Sequence, residues 1–206
     1  MSMPGKTPVL LPVMEHFYTI QGEGFYQGKA AYFVRLGGCD VNCPWCDVKE
    51  SWETEPHPKM TVEEIVEAVA GSGTQICVVT GGEPLMHNLT DLTAQLKAKG
   101  IRTHIETSGA YPLTGQWDWI CVSPKRFKLP VAQCLKAAHE LKVIIWHRND
   151  LRFAEEYAAK VGEQCMLFLQ PEWSEEDEVL PMIVEYVKEN QKWKISLQIH
   201  KYMNIP

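Results

Sequence analysis

From about residue 60 onward, β-prone runs and amphipathic helical stretches take turns along the chain. That alternation narrows the possible folds more than any other feature. Residues 76–80, 102–106, 117–122, 140–146, 164–169 and 194–199 read as strands, and 62–70, 89–99, 150–161 and 175–190 as helices. Thr61 with Glu64 three residues later forms a capping box for the first helix, and Gly71, Gly100 and Gly162 stand where helices should stop. One more strand is predicted earlier, at Ala30–Leu36, a continuous apolar run suited to burial on both faces. Strands joined by helices of this length make parallel βα units. A polar segment follows nearly every strand: 39–46, 81–83, 107–109, 123–125, 170–171 and 200–202. In a parallel α/β array these positions share the carboxyl rim, where such folds place their sites.

Length and composition set the outer limits. With 206 residues the chain forms a single domain over 1–206, with 1–10 as a loose tail, and is short for a complete eight-stranded barrel. An incomplete, TIM-like βα barrel is therefore expected. The net charge of −6 gives no general attraction to nucleic acid or to an anionic membrane. No apolar run is long enough for a span and the start does not have the layout of a signal peptide, so a cytoplasmic protein is expected. Seven cysteines, an odd number with three crowded into one loop, argue against a disulfide framework. Cys77, Cys121, Cys134 and Cys165 lie among apolar neighbours and read as small buried hydrophobes.

Three stretches carry chemistry. Cys39, Cys43 and Cys46 can meet at one centre, and thiolates favour zinc, Cu(I) or iron–sulfur clusters. Structural zinc needs a fourth protein ligand, and the nearest downstream histidine, His57, stands between Pro56 and Pro58. A four-iron cubane held by three thiolates needs no fourth protein ligand and leaves one iron open. Arg35, in an otherwise apolar strand, requires either a neighbouring carboxylate or an anionic ligand. Gly81-Gly82-Glu83 offers backbone amides beside a carboxylate, a pattern that can grip an α-amino acid group or simply make a turn. Ser108, Ser123 and Lys125 could hydrogen-bond a ribose or a base, or serve as caps.

The spacing CxxxCxxC with Trp45 before the last cysteine resembles the signature of the radical S-adenosylmethionine (SAM) enzymes. A longer series of landmarks resembles the 7-carboxy-7-deazaguanine synthase family. It runs in order through Gln21-Gly22-Glu23-Gly24, Arg35-Leu36, Cys46-Asp47, Thr80 to Pro84, Glu106 to Gly109, Ser123-Pro124-Lys125, Gln170-Pro171 and His200-Lys201-Tyr202. The resemblance implies a [4Fe-4S] cluster on Cys39, Cys43 and Cys46, with SAM chelated to the open iron. It also implies conversion of 6-carboxy-5,6,7,8-tetrahydropterin to 7-carboxy-7-deazaguanine by hydrogen abstraction, ring contraction and loss of ammonia, on the route to queuosine.

By the same resemblance SAM lies against Trp45, Cys46, Asp47, Gly82, Ser108, Ser123, Pro124, Lys125 and Gln170, with Glu83 or a carbonyl toward its ammonium. Arg35 pairs with the substrate carboxylate. Ile20, Gln21, Gly22 and Thr80 contact the pterin, the terminal carboxylate of Pro206 takes its amino-pyrimidine edge, and His200 helps close the pocket. No side chain is assigned a catalytic role, since the radical arises at the cluster and SAM. An electron donor such as flavodoxin and a homodimer are also implied. Two positions depart from the family pattern. Val48 stands where members often carry a Thr that touches Mg²⁺, leaving a substrate-bound Mg²⁺ to oxygen and water alone. Glu172-Trp173 replaces smaller residues after Gln170-Pro171. The competing readings are a glycyl-radical-enzyme activase of the same superfamily and a non-enzymatic electron carrier or zinc-stabilised module.

Overall fold

The helices and strands form for reasons visible at their ends. In a computed structural model that describes residues 8–206, Thr61 Oγ1 accepts from the Glu64 N–H at 3.1 Å while the Glu64 carboxylate accepts from the Thr61 N–H at 2.7 Å. This reciprocal cap opens α1 (Val62–Gly71), which buries Val62, Ile65, Val66 and Val69 on one stripe. The remaining elements are β1 (Leu10–Ile20), β2 (Ala30–Leu36), β3 (Lys59–Thr61), β4 (Ile76–Gly81), α2 (Thr90–Ala98), β5 (Arg102–Thr107), β6 (Trp119–Val122), α3 (Ala132–Ala137), β7 (Glu140–Ile145), α4 (Asn149–Ala158), β8 (Met166–Pro171), α5 (Glu176–Glu189), β9 (Trp193–Ile195) and α6 (Ile199–Met203).

Among the described residues all nine strands join one sheet in the order β3-β1-β2-β4-β5-β6-β7-β8-β9. From β2 to β9 every pairing is parallel, whereas β1 runs antiparallel to both β2 and β3. The end strands β3 and β9 do not pair with each other. This is the incomplete βα barrel expected from the chain length. One continuous core joins the sheet to its helices, with Leu36, Leu92, Leu96, Ile105, Leu141, Ile145, Leu169 and Ile183 fully buried. Truncating any of them to alanine would cost about 2–5 kcal/mol. Cys77, Cys121, Cys134 and Cys165 are all buried, as their apolar neighbours implied.

The structure corrects several boundaries. Of the predicted loose tail 1–10, residues 1–7 lie outside the described residues, and Leu10 already belongs to β1. The segment 59–61 forms a short edge strand whose Met60 pairs with Leu11, and 132–137 is a one-and-a-half-turn helix. The last strand ends at Ile195 instead of 199, because the chain turns into α6 there and the Ile199 N–H bonds to the Gly22 carbonyl at 3.1 Å. That turn carries His200 back to the mouth of the sheet.

Candidate active site

A cleft of about 270 Å³ opens at the carboxyl rim of the parallel strands. Its construction starts at the end of β2, where the chain passes Gly37 and Gly38 into the cysteine loop. Main-chain bonds hold the root of this loop, from Gly38 N–H to Ser51 O (2.7 Å) and from Cys39 N–H to Trp52 O (3.0 Å). The segment after β4 is stitched to the same root, since the Gly82 N–H donates to Leu36 O at 2.9 Å and the Glu83 N–H to Gly38 O at 2.8 Å. Glycine is required at both positions of this seam. Gly81 has φ +136°, and a Cβ on Gly82 would stand 2.3 Å from Gly38 O and 2.7 Å from Cys39 Cβ. The Gly-Gly-Glu segment is therefore the backing of the cysteine loop.

Cys39, Cys43 and Cys46 all line the cleft. Burial pushes the Cys43 thiol up to about 11, against the opposing pull of the Lys125 ammonium, and burial raises the Cys39 thiol too. Thiols held this way need a cation to become thiolates. Among the described residues, no three His, Cys, Asp or Glu donors converge as a single ion would demand. A cubane asks for a different arrangement, because each of its three bound irons takes one thiolate and the sulfurs stay apart. His57, the candidate fourth zinc ligand, is occupied elsewhere: its Nε2 bonds to Glu50 O at 2.8 Å, and its ring packs against Gly37. The donor set fits an iron–sulfur cluster.

Most of the other expected residues share these walls. Trp45, Asp47, Gly82, Glu83, Ser108, Ser123, Lys125 and Gln170 line the cleft, as do Ile20, Gln21, Gly22, Arg35, Thr80, His200 and Pro206. Pro124 is the exception. It is buried, between Ser123 and Lys125, which both reach the cleft. Lys125 Nζ donates to Ser123 Oγ at 2.5 Å and lies 5.3 Å from the centre of the Trp45 ring. Glu83 is only 1 % exposed, and its two oxygens accept from Leu85 N–H, Thr107 Oγ1, and the N–H and Oγ of Ser108. Four bonds fill a carboxylate's acceptor sites. Glu83 therefore holds β4, the rim after β5 and Ser108 in register, and an ammonium could reach it only by displacing a hydroxyl.

Arg35 meets the first of its alternatives, a neighbouring carboxylate, and also borders the cleft. It stands opposite Glu15 on β1 and Thr80 on β4; its Nε donates to Glu15 Oε1 at 2.6 Å while the residue borders the cleft, half-buried. Of the two unexpected residues after Pro171, Glu172 turns its carboxylate back to the Ser174 N–H at 3.0 Å and caps a short 3-10 turn. Both residues line the cleft, and Trp173 stands edge-on to Tyr202 with the Lys201 ammonium 4.8 Å from its ring centre.

The floor of the cleft carries a charged network that the sequence reading did not assign. Lys142 on β7, 3 % exposed, reaches Glu106 on β5 at 2.6 Å and also pairs with Glu23 in the loop after β1. Gln21 Nε2 donates to Glu106 Oε1 (2.8 Å), and Gln198 Nε2 donates to Glu23 Oε1 (2.8 Å). Burial alone would raise the Glu23 carboxyl, but the Lys142 ammonium overrides it and holds the group at about 2. The signal was available: Lys142 interrupts the apolar strand Glu140–Ile145 just as Arg35 interrupts Ala30–Leu36.

An incomplete parallel barrel with three thiols on the loop after β2, backed by a Gly-Gly-Glu segment, has the construction of a radical SAM enzyme, and the Radical SAM superfamily model matches residues 33–121. Whole-chain relatives narrow this further. The chain is 59 % identical over 197 residues to 7-carboxy-7-deazaguanine synthase of Flavobacterium psychrophilum, covering 96 % of this chain and 93 % of the relative. It is 49 % identical over 197 residues to the synthase of a Synechocystis strain, covering 96 % and 94 %. The crystal structure of QueE from Escherichia coli superposes with a TM-score of 0.83 at 30 % identity, covering 92 % of this chain and 94 % of that one. The chain belongs to the 7-carboxy-7-deazaguanine synthase family. As a radical SAM enzyme of this family it uses a [4Fe-4S] cluster and SAM. None of these relatives is a glycyl-radical-enzyme activase. No helix among the described residues is long and apolar enough to cross a membrane.

Proposed function

We propose that this cleft converts 6-carboxy-5,6,7,8-tetrahydropterin to 7-carboxy-7-deazaguanine with release of ammonia. Cys39, Cys43 and Cys46 hold the cluster, which with SAM supplies a carbon radical able to take hydrogen from an unactivated C–H bond. The protein's part is to bind, orient and exclude water. Trp45, Asp47, Gly82, Ser108, Ser123, Lys125 and Gln170 form the SAM side, with Glu83 locking Ser108 in place. Ile20, Gln21, Gly22, Thr80, His200 and Pro206 form the pterin side. The guanidinium of Arg35 meets the substrate carboxylate through a charge-assisted bond.

The observation that carries this reading is the position of Arg35 beside Thr80, on strands whose ends lead directly into the cysteine loop and its backing. An anion bound there lies between a fixed cation and the thiol wall. His200 is held at the mouth, where its ring leaves no room for any side chain on Gly22: a Cβ there would stand 2.2 Å from Nδ1. The Val48 side chain lines the cleft without an oxygen, so a Mg²⁺ bound with the substrate takes no ligand from that side chain. The enzyme works in the cytoplasm as a homodimer that receives its electron from a carrier such as flavodoxin.

The test is anaerobic incubation of reconstituted protein with SAM, a reductant and the carboxypterin, followed by mass analysis. Product with the mass of 7-carboxy-7-deazaguanine is expected. SAM cleavage without consumption of the pterin would refute the substrate, and a reduced-cluster paramagnetic spectrum unchanged by SAM would refute the whole reading.

A further inference from the structure

A second cavity adjoins the floor of the cleft, and the two share Gln21, Glu23 and Glu106 as a common wall. Its volume of about 10 Å³ suits one molecule the size of water. Glu140 on β7 and His104 on β5 also border it, each 3 % exposed. Glu140 Oε2 accepts from the Phe25 N–H at 3.2 Å and from Trp119 Nε1 at 3.0 Å. His104 Nε2 is buried with no hydrogen-bond partner among the described residues. The rings of Tyr26 and Trp119 border the same space, edge-on to each other at 4.9 Å, with Tyr26 4.5 Å from the His104 ring.

Three carboxylates therefore face this small volume, and Lys142 bonds to only two of them, Glu23 and Glu106. Burial raises the Glu140 carboxyl, against the pull of the Lys142 ammonium and of its own two donors. Burial also holds the His104 imidazole at about 4, so near neutral pH it is uncharged and carries a nitrogen lone pair. Acceptors outnumber donors, which favours a small cation that donates hydrogen bonds, and the aromatic rings add to that preference. A metal ion suits the space less well, because among the described residues no three His, Cys, Asp or Glu donors converge on one point. An ammonium ion has the size, the charge and the N–H groups.

We propose that this cavity binds ammonium and receives the nitrogen that the reaction releases in the adjoining cleft. Ammonia becomes this ion by taking up one proton from water. Gln21 and Glu106, joined at 2.8 Å, stand between the two spaces. The role as a product site rests on the carboxypterin reading above; the affinity for ammonium does not.

The test uses reconstituted, oxidised enzyme with neither SAM nor pterin, and isotope-labelled ammonium chloride as the probe. Proton–nitrogen correlation spectra should show a bound ammonium signal that saturates and exchanges slowly with water. The melting temperature should rise by about 2–4 °C at a few times the dissociation constant. Potassium chloride or methylammonium chloride at equal ionic strength should not reproduce the rise, the methylammonium ion being too large for the cavity. Glu140→Gln and His104→Leu should each weaken ammonium binding about tenfold or more, the loss of one charge-assisted bond. His104→Leu also removes an orphaned polar atom, so that variant should keep its fold. Far-ultraviolet dichroism and cluster absorbance should match the wild type in both.

No bound signal would leave the cavity to water alone and overturn the proposal. So would a melting shift shared equally by potassium, or binding unaltered in both variants, which would put the ion elsewhere. Ammonium binding without turnover of the carboxypterin would remove only the role as a product site. Product formed by an enzyme that does not bind ammonium would leave the substrate reading standing alone.

Discussion

Replacing Lys142 with methionine tests the network under the cleft most directly. Methionine nearly preserves the volume but removes the ammonium, leaving Glu23 without its cation at a largely buried site. A carboxylate whose pKa falls from 4.5 to about 2 on folding contributes about 3 kcal/mol to stability at neutral pH. Breaking a buried pair from one side costs about 3–5 kcal/mol, so the two routes agree. Such a loss is a large share of the roughly 5–15 kcal/mol that holds a domain folded.

The sign follows from linkage. Because the folded-state pKa of Glu23 is depressed, its contribution is complete above 4.5 and disappears as pH falls toward 2. In Lys142→Met burial is opposed only by the Gln198 hydrogen bond and the His200 charge, so the Glu23 pKa rises, and acidification neutralises the stranded charge and relieves the variant. Urea unfolding followed by far-ultraviolet circular dichroism should show a deficit of about 3 kcal/mol near neutral pH that narrows on acidification. Adding Glu23→Gln to the variant should recover part of it. A deficit below about 1 kcal/mol, or one that does not change with pH, would refute the claim that Lys142 sets the charge state of Glu23.

Two other changes address the walls. Arg35→Ala should raise the KM for the carboxypterin roughly tenfold to a hundredfold, the loss of one charge-assisted bond, while SAM cleavage without pterin continues. Its half-exposed pair with Glu15 is worth under about 1 kcal/mol, so equal loss of both activities would mark Arg35 as structural. Gly82→Ala places a methyl 2.7 Å from Cys39 Cβ, and iron per chain after reconstitution should drop well below that of the wild type with the helical dichroism preserved. Full iron loading would show that the seam yields without cost.

The parts legible in the sequence were those with local causes. Thr61 and Glu64 mark the start of α1 because their bonds close within four residues, and Ala30–Leu36 is bounded by its own apolar run. The cysteine loop and the polar rim could be read because each segment directly follows a strand. The segment Leu10–Ile20 gave no such signal: Pro12 and the polar Glu15-His16 interrupt its pattern, and it is a strand because β2 and β3 flank it. The Glu23–Lys142–Glu106 cluster was hidden for a related reason, since its members lie far apart in sequence and only the sheet brings them together.

The bond from Gln198 to Glu23 spans 175 positions of sequence. On a ribosome the thiols emerge well before the glutamine that completes the floor. A nascent chain can therefore present its three sulfurs to solvent, and to any oxidant there, well before the strands that shelter them exist. Iron delivered before the chain is finished would meet a half-built vessel, so metal loading and translation have to be ordered in time.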